Sequence, residues 1–244
     1  MNAAPRAEAL GDSAVLLHFG EAIDAAVNAR VHAAARHIAA LQLPGIVELV
    51  PAYASLAVQL DPACWSGGAP APAQRCAAAL LDALAAAPEA RGSFSTTIEI
   101  PVCYGAGFGP DLDAAAARCG LAVPELAALH AAADYRVALL GFAPGFPYLL
   151  GLDPRLHLPR LATPRTRVPA GSVAIGGAQT GIYPRELPGG WNLIGRTPLR
   201  LFDAARTPPN RIAAGMRLRF RAITAEEFRA LQAEEDKAAA DSTA

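Results

Sequence analysis

Apolar positions in the first hundred residues switch between the spacing of strands and the spacing of helices. Alternation and short apolar runs predict strands, whereas apolar residues three and four positions apart predict helices. In chain order the pattern predicts a strand, a helix, two strands, a helix and a strand, at residues 13–19, 24–41, 46–50, 55–60, 73–87 and 94–102. Asp24 is a candidate N-cap for the first helix, and the strands at 46–50 and 55–60, which Pro51 separates, could pair as a hairpin. This order is typical of a split-βαβ, ferredoxin-like α+β domain, which we assign to residues 1–95.

The remainder of the chain is punctuated by glycine and proline. Residues 141–200 hold ten Gly and nine Pro. Gly allows backbone conformations that other residues avoid, and Pro fixes φ, so this stretch predicts short strands joined by shaped loops. The candidate loop-shaping residues are Gly145, Pro147, Gly171, Gly181, Gly189 and Gly190. We assign a second domain to residues 96–228.

The C-terminal segment predicts one more helix. Thr224 and Glu227 have the spacing of a capping box, in which each side chain bonds the other residue's backbone N–H. Beyond the second domain, residues 229–244 are charged and Ala-rich. We expect this tail to fray, as chain ends do when nothing holds them.

The composition is that of a globular protein. Of 244 residues, 53% are hydrophobic and 18% are charged. No apolar run approaches the roughly 18 residues that a membrane span needs, and the N-terminus lacks a signal pattern. We therefore expect a cytoplasmic protein with no membrane or nucleic-acid partner. Four widely spaced cysteines, without a Cys-x-x-Cys pair, predict four buried free thiols.

The net charge of −1 conceals an uneven distribution along the chain. Residues 1–135 carry 6 Arg and 13 acids, residues 136–221 carry 13 Arg and 3 acids, and residues 222–244 carry 2 cations and 6 acids. The basic middle segment indicates an anionic ligand or an acidic partner surface. The alternative is that the acidic first segment docks on the basic one.

Several kinds of active site are disfavoured by the sequence. The five histidines lack the spacing of metal ligands, so we expect no metal site in this chain. No serine lies in Gly-x-Ser-x-Gly, and Lys237 is the single lysine, so a Ser-Ser-Lys amidase site cannot be assembled. Cys103 lacks a neighbouring histidine in the sequence, so we expect its thiol to be structural. Neither of the phosphate-binding patterns GxGxxG and GxxxxGK(S/T) is present. We assign no catalytic residue.

A small set of side chains in the Gly/Pro-rich stretch is suited to binding a ligand. With one lysine, an anion held by this chain must be bound by arginine or backbone N–H groups, and arginine offers a planar fork of donors. Loop polar groups could hold a small polar ligand, and aromatic rings, including Phe142 and Phe146, could form its walls. The candidate ligand-binding residues are Tyr148, Arg165, Arg167, Gln179, Tyr183, Trp191 and Arg196. The alternative for each arginine is a structural bond to a loop carbonyl.

Three motifs in this region resemble one known family. They are GFAPGFPYLLGL, TPRTRVPAGSVAIGGAQTGIYP and PGGWNLIGRTPLRLFD, at residues 141–152, 163–184 and 188–203. These long motifs resemble those of the family of the 5-oxoprolinase B subunit. That family also includes the sporulation-kinase inhibitor KipI and proteins labelled allophanate hydrolase subunit 1. The resemblance implies an N-terminal α+β domain and a C-terminal cyclophilin-like β-barrel. One departure is Gly215-Met216, where relatives commonly have Gly-Asp.

The resemblance also implies a function and partners. Together with an A subunit and a C subunit, the latter with similar barrels, this chain would open 5-oxo-L-proline to L-glutamate with ATP and Mg²⁺ bound somewhere in the complex. Phosphorylation of the lactam oxygen would create a leaving group. The isolated chain is expected to be inactive, because it would hold only half of an active site. The same loops could form either a pocket or a contact between subunits.

Two alternative functions follow from the same family. One is a non-enzymatic inhibitor that binds a sensor histidine kinase through the barrel. The other is half of a biotin-dependent carboxyltransferase-like site of the urea carboxylase type. The allophanate hydrolase label implies amidase chemistry, against which the missing Ser-Ser-Lys set argues.

Overall fold

A computed structural model of the protein describes residues 4–86, 97–105 and 107–241. The chain forms two compact units, residues 1–93 and 94–244. The division lies two residues before the predicted boundary at 95/96, within a stretch outside the described residues. None of the described helices is long and apolar enough to cross a membrane.

The first unit is an antiparallel sheet with two helices. Its strands are β1 (Arg6–Leu10), β2 (Ala14–His18), β3 (Ile46–Pro51) and β4 (Ser55–Leu60), and its helices are α1 (Ala25–Leu41) and α2 (Pro72–Ala85), preceded by a 3₁₀ turn at Pro62–Trp65. The sheet order is β1-β2-β4-β3. Asp24 caps α1 as predicted, because its carboxylate accepts the N–H groups of Ala26 and Val27 at 2.8 and 2.9 Å. The predicted hairpin of β3 and β4 is confirmed.

The origin of the fourth strand differs from the prediction. The split-βαβ order places the last strand after the second helix, but the strand that begins at Thr97 belongs to the other unit. The edge position beside β2 is taken by β1, which precedes all the predicted elements. Most of β1 is exposed, as edge strands often are, so it carries no apolar alternation that a sequence pattern could detect.

The second unit is a closed β-barrel. Its strands are β5 (Thr97–Tyr104), β6 (Tyr135–Leu140), β7 (Pro147–Leu150), β9 (Ser172–Gly176), β10 (Gln179–Ile182), β12 (Asn192–Arg196) and β13 (Arg217–Ala222), in the closed order β10-β7-β6-β13-β5-β12-β9. Only β13 and β5 are parallel among these pairs. A separate ribbon pairs β8 (Arg165–Val168) with β11 (Leu187–Gly189). The α+β class with a C-terminal barrel is thus confirmed.

Helices α3 (Leu112–Cys119) and α4 (Val123–Ala132) contribute to the barrel's core. Their buried leucines, Leu112 and Leu126, join one apolar cluster with inward residues of the strands, such as Ile100 and Leu218. A 3₁₀ turn at Pro154–Leu156 adds to the same cluster.

All four cysteines are free thiols, but they are not all buried as predicted. Cys76 and Cys103 are buried, Cys119 is partly buried, and Cys64 is exposed. The widely spaced positions therefore indicate the redox state correctly but not the environment of each thiol.

The last helix, α5 (Ala225–Asp241), corrects the expectation of a frayed tail. Glu235, ten residues into this helix, accepts two hydrogen bonds from Nη2 of Arg211 at 2.6 and 2.9 Å and a third from the backbone N–H of Arg200. At the other end, Thr224 caps Glu227 as predicted, but the Glu227 carboxylate pairs with Arg221. Side-chain bonds to the barrel thus hold a segment that composition alone predicted to be loose.

The fold also resolves the uneven charge. Residues 94–244 carry 16 Lys and Arg and 14 Asp and Glu, so the barrel unit is nearly balanced. Arginines of the middle segment pair with acids that precede or follow it in the same unit, as in Arg165–Asp111, Arg219–Asp134, Arg221–Glu99 and Arg211–Glu235. The segment's excess of arginine therefore serves mainly to join parts of one unit.

Replacement of Glu235 by Ala should release the C-terminal half of α5. It removes a paired carboxylate that is only 20% exposed, and bonds between charged groups of this kind contribute about 1.5–3 kcal/mol. Amide hydrogen exchange should accelerate beyond residue 230. The matched control is Glu234→Ala, its exposed neighbour. Equal exchange rates in the two variants would show that α5 is held by other contacts.

Candidate functional site

A cavity of about 320 Å³ lies beside the ribbon of β8 and β11. Five parts of the chain enclose it: the β6–β7 connection, strand β7, residues 160–164, the residue that follows β10, and the chain from β11 to Trp191. The lining residues are Phe142, Phe146, Tyr148, Arg160, Leu161, Pro164, Tyr183, Pro188, Gly189, Gly190 and Trp191. Its size and largely apolar lining are typical of a small-molecule site.

The wall of the cavity is built around Phe146, which is buried. Its ring centre lies 4.8–5.8 Å from those of Phe142, Tyr148, Tyr183 and Trp191. Three of the four contacts are edge-to-face, an arrangement that brings the positive edge of one ring to the negative face of the next. The five rings therefore support one another and present a preformed apolar surface.

Two glycines make room for these rings. A Cβ at Gly176 of β9 would lie 2.6 Å from the indole of Trp191, so that ring packs directly on the strand's backbone. A Cβ at Gly189 would lie 2.2 Å from the hydroxyl of Tyr183. Without a side chain, Gly189 therefore leaves room for the Tyr183 hydroxyl.

One cation lines the cavity. The guanidinium carbon of Arg160 lies 5.8 Å from the centre of the Trp191 ring, within cation–π range. Burial raises the pKa of Tyr148 and of Tyr183, and Arg160 opposes both shifts by favouring the phenolate charge. Both tyrosines therefore keep their protons at neutral pH and can donate hydrogen bonds.

The rim residue Phe142 has an unusual backbone. Its φ is +69°, and the N–H of Ala143 bonds the carbonyl of Gly141 at 2.8 Å, so Phe142 is the central residue of a γ-turn with positive φ. Turns of this kind are rare and strained. The Phe142 side chain is also 61% exposed. A bulky apolar group in a strained, exposed position at a cavity's rim indicates a functional role.

The structure brings together some of the candidate ligand-binding residues and not others. Tyr148, Tyr183 and Trp191 line the cavity, as do the loop-shaping pair Gly189 and Gly190. The other candidates, Arg165, Arg167, Gln179 and Arg196, do not line it.

The three candidate arginines have structural partners. Arg165 binds Asp111 at 2.6 Å, and the other oxygen of that carboxylate accepts the backbone N–H of Leu193. Arg196 donates to the carbonyl of Ala170 at 2.7 Å, which is the structural alternative for a loop arginine. Arg167 is highly exposed and lies 3.7 Å from Glu186.

The remaining loop-shaping candidates differ in how strictly the backbone requires them. Gly145 and Gly171 have φ of +81° and +78°, and a Cβ at Gly171 would lie 2.2 Å from a carbonyl oxygen. A Cβ at Gly181 would lie 2.8 Å from the carbonyl oxygen of Pro147, the first residue of β7. At Gly190 the nearest atom would be 3.5 Å away, which is an ordinary contact.

Sequence reasoning missed Arg160, the cavity's cation. The signal was present, because Arg160 follows Pro159 in a segment without regular structure, and the same criterion selected the other three arginines. Gly176 was missed because a glycine within a strand gives no indication of which ring packs on it.

A cluster of polar side chains lies inside the barrel, and none of its members lines the cavity. The hydroxyl of Tyr104 bonds Nδ1 of His130 at 2.8 Å, Nε2 of His130 bonds Oγ1 of Thr180 at 2.9 Å, and Thr180 donates to the carbonyl of Ala174. Because Thr180 gives its only proton to Ala174, Nε2 must be the donor and Nδ1 the acceptor. Burial lowers the pKa of His130 to about 3. Both ring nitrogens are used, so His130 is a neutral structural residue without a free nitrogen for a metal.

Comparison with known proteins identifies the family. Residues 5–212 match the family model described as carboxyltransferase domain, subdomain C and D. The chain is 42% identical to the B subunit of 5-oxoprolinase from Bacillus subtilis (strain 168), over 93% of this chain and 96% of that protein.

The chain belongs to the carboxyltransferase-domain family that includes the 5-oxoprolinase B subunit.

Solved structures of similar proteins agree with the fold. The crystal structure of TTHA0988 is 40% identical, with a TM-score of 0.74, and the match covers 86% of this chain and 40% of that longer one. The urea carboxylase of Kluyveromyces lactis is 20% identical, with a TM-score of 0.69 over 95% of this chain and 23% of that chain, and shows a common fold alone. The family that the three motifs indicated is confirmed by the 42% identity over most of the chain and by the family model.

The family member described here accommodates its departure at Met216 locally. The backbone N–H of Ala213 lies 3.4 Å from the thioether sulfur of Met216, a weak acceptor. The Met216 side chain therefore contacts the backbone of its own loop.

Replacement of Gly189 by Ala should distort the cavity. The new methyl group would overlap the Tyr183 hydroxyl, and overpacking of this kind costs about 1–3 kcal/mol. Urea unfolding followed by Trp191 fluorescence, in a Trp65→Phe background, measures the loss. Gly190→Ala is the matched control and should change stability by less than about 0.5 kcal/mol. Equal losses in both variants would contradict the role assigned to Gly189.

Replacement of His130 by Asn should flatten the pH dependence of the barrel's stability. With a pKa near 3 when folded and about 6.5 when unfolded, His130 binds a proton only in the unfolded chain between these values. Its stabilising contribution is complete above about pH 6.5 and falls by up to about 1.4 kcal/mol per pH unit towards pH 3.

The measurement is urea unfolding at several pH values between about 5 and 6.5, again followed by Trp191 fluorescence. His157→Gln, which removes an exposed imidazole, is the control. A His130→Asn variant with the slope of the unmodified protein would show that His130 titrates alike in both states.

Proposed function

We propose that this chain is the B subunit of an ATP-dependent 5-oxoprolinase, which opens 5-oxo-L-proline to L-glutamate together with an A subunit and a C subunit. The observation that carries the proposal is the 42% identity to a protein named as the B subunit of 5-oxoprolinase, over nearly the full length of both chains. Barrel, ribbon and motifs all lie within the matched region. The reaction breaks a ring amide, whose resonance stabilisation makes it inert without activation.

The lining of the cavity explains why the chain would need partners for this chemistry. Its side chains include no Asp, Glu, His, Cys or Lys. The tyrosines Tyr148 and Tyr183 have raised pKa values and are protonated at neutral pH. A general base that accepts a proton near neutrality is therefore supplied by another part of the complex. We expect the isolated chain to be inactive for this reason.

The residues present do not fit ATP. A triphosphate with its Mg²⁺ needs several cations or a cradle of backbone N–H groups, together with oxygen ligands for the metal. The cavity offers the single cation Arg160 among aromatic rings. Within the described ranges, no three His, Cys, Asp or Glu side chains come together as a metal site. We therefore assign ATP and Mg²⁺ to a partner protein of the complex.

The two alternative functions remain hypotheses. No observation on the cavity favours a kinase inhibitor or a carboxyltransferase-like half-site over a hydrolase subunit. Each makes a distinct demand: the inhibitor must suppress autophosphorylation of a sensor kinase, and the half-site must require a biotinylated partner.

Co-expression with the A and C subunits should give ATP-dependent release of glutamate from 5-oxo-L-proline. The measurement is glutamate formed by the three purified proteins together, compared with the A and C proteins without this chain and with this chain alone. Omission of ATP should abolish the product. Equal activity with and without this chain, with all three proteins soluble, would contradict the proposal. Kinase inhibition or dependence on biotin would then support the corresponding alternative.

A further inference from the structure

The cavity combines features that select one kind of ligand. Flat aromatic walls surround a space of about 320 Å³, and one guanidinium lies over the indole of Trp191. Flat rings stack on aromatic faces, and a guanidinium binds a carboxylate with two parallel bonds. The lining has no acidic side chain that would accept an ammonium group. The preferred ligand is therefore small and anionic, has a nearly flat ring and carries no positive charge, which Arg160 would repel.

The polar donors in the lining add a second requirement. Tyr148 lies on β7 with its ring 5.8 Å from that of Trp191, and its hydroxyl is protonated at neutral pH. A protonated phenol can donate to a carbonyl oxygen. A carbonyl on the ring of the ligand would thus match Tyr148, while a carboxylate would match Arg160.

The strained turn at Phe142 completes the site. A free, exposed loop would relax to negative φ, because positive φ is unfavourable for a bulky residue. Here backbone bonds hold it: the N–H of Gly141 donates to the carbonyl of Phe146 at 3.2 Å, and the N–H of Phe146 donates to that of Ala143 at 3.0 Å. These bonds keep the exposed Phe142 ring at the rim, 5.5 Å from Phe146. A ligand in the cavity would cover part of this apolar surface.

We propose that the cavity binds a five-membered ring lactam that carries one carboxylate, with Arg160 holding the carboxylate, Tyr148 donating to the ring carbonyl, and Phe142 covering the ring. The identity of the lactam as 5-oxo-L-proline rests on the proposed function. The placement of the ligand in this cavity, on these residues, does not depend on ATP or on the other proteins of the complex.

The test uses the full chain with Trp65→Phe, which leaves Trp191 as the single tryptophan. Titration with 5-oxo-L-proline should give a saturable change in Trp191 fluorescence. The control 2-pyrrolidinone has the lactam but no carboxylate, and L-proline has the carboxylate but a cationic nitrogen and no ring carbonyl. Each should bind about tenfold or more weakly: 2-pyrrolidinone loses the charge-assisted bond to Arg160, and L-proline loses the bond from Tyr148 and brings an ammonium group beside Arg160. A flat response to 5-oxo-L-proline, or equal binding of 2-pyrrolidinone, would overturn the proposal.

Substitutions locate the ligand. Arg160→Ala should weaken 5-oxo-L-proline binding about tenfold or more, while Arg217→Ala, which removes an exposed arginine of β13, should leave it unchanged. Phe142→Gly should weaken binding without loss of fold stability, since Gly adopts positive φ freely. We expect the thermal unfolding midpoint of this variant to equal or exceed that of the parent. Weaker binding would then come from the loss of the Phe142 ring over the ligand and not from a loss of folded protein. Unchanged binding in Arg160→Ala would overturn the assignment.

Activity of the complex distinguishes this proposal from the proposed function. If the three proteins together release glutamate equally well with Arg160→Ala, the cavity assignment fails and the function stands. If the cavity binds 5-oxo-L-proline but the complex releases no glutamate, the function fails and the site stands. If the C protein alone perturbs Trp191 and 5-oxo-L-proline does not, the cavity is a contact between proteins and the proposal is wrong.

Discussion

The barrel unit depends on keeping one buried histidine neutral and fully bonded. His130 on α4 is linked to Tyr104 of β5 and to Thr180 of β10, and its ring stacks on Phe220 of β13 at 4.6 Å. An unpaired polar group in this position would cost several kcal/mol, so the strands and the helix are fixed in one arrangement. Because side chains alternate along a strand, a slip of one residue in β10 would turn Thr180 away from the ring. The network thereby holds β10, and Tyr183 of the cavity wall is the residue that directly follows this strand.

Local signals in the sequence predicted most of the elements but not their long-range partners. Asp24, as an N-cap, and the hairpin of β3 and β4 depend on neighbours within the chain, and both were predicted. Strand β1 is exposed and lacks a pattern, and the strand at Thr97 gives no sign of which sheet it joins. The tail follows the same logic: its helix depends on Glu235 meeting Arg211, a contact between segments 24 residues apart.

In the candidate site too, local features were predicted and long-range partners were not. Tyr148 and Trp191 were predicted as aromatic walls and Tyr183 as a loop hydroxyl, because all three lie in the local stretch rich in glycine and proline. The arginines were not separated, because the partner of Arg165 is Asp111, 54 residues away, and nothing local distinguishes such an arginine from Arg160. Residues 136–221, counted alone, form a strongly basic segment. The whole barrel unit, residues 94–244, is nearly balanced in charge. Within the lining of the cavity, the positive charge is therefore that of one guanidinium, Arg160.

The parallel pairing of β5 with β13 has a consequence for how the protein is made. Arg217 lies beside Thr97 and Ala222 beside Val102, so the first and last strands of the barrel are neighbours although about 120 residues separate them. On a ribosome, β5 and the strands that follow it emerge before β13. They cannot form a closed barrel until residue 222 has left the exit tunnel. Closure of so long a loop is slow, and the open intermediate exposes two unpaired strand edges. The newborn chain is thus open to aggregation at these edges until its last strand is in place.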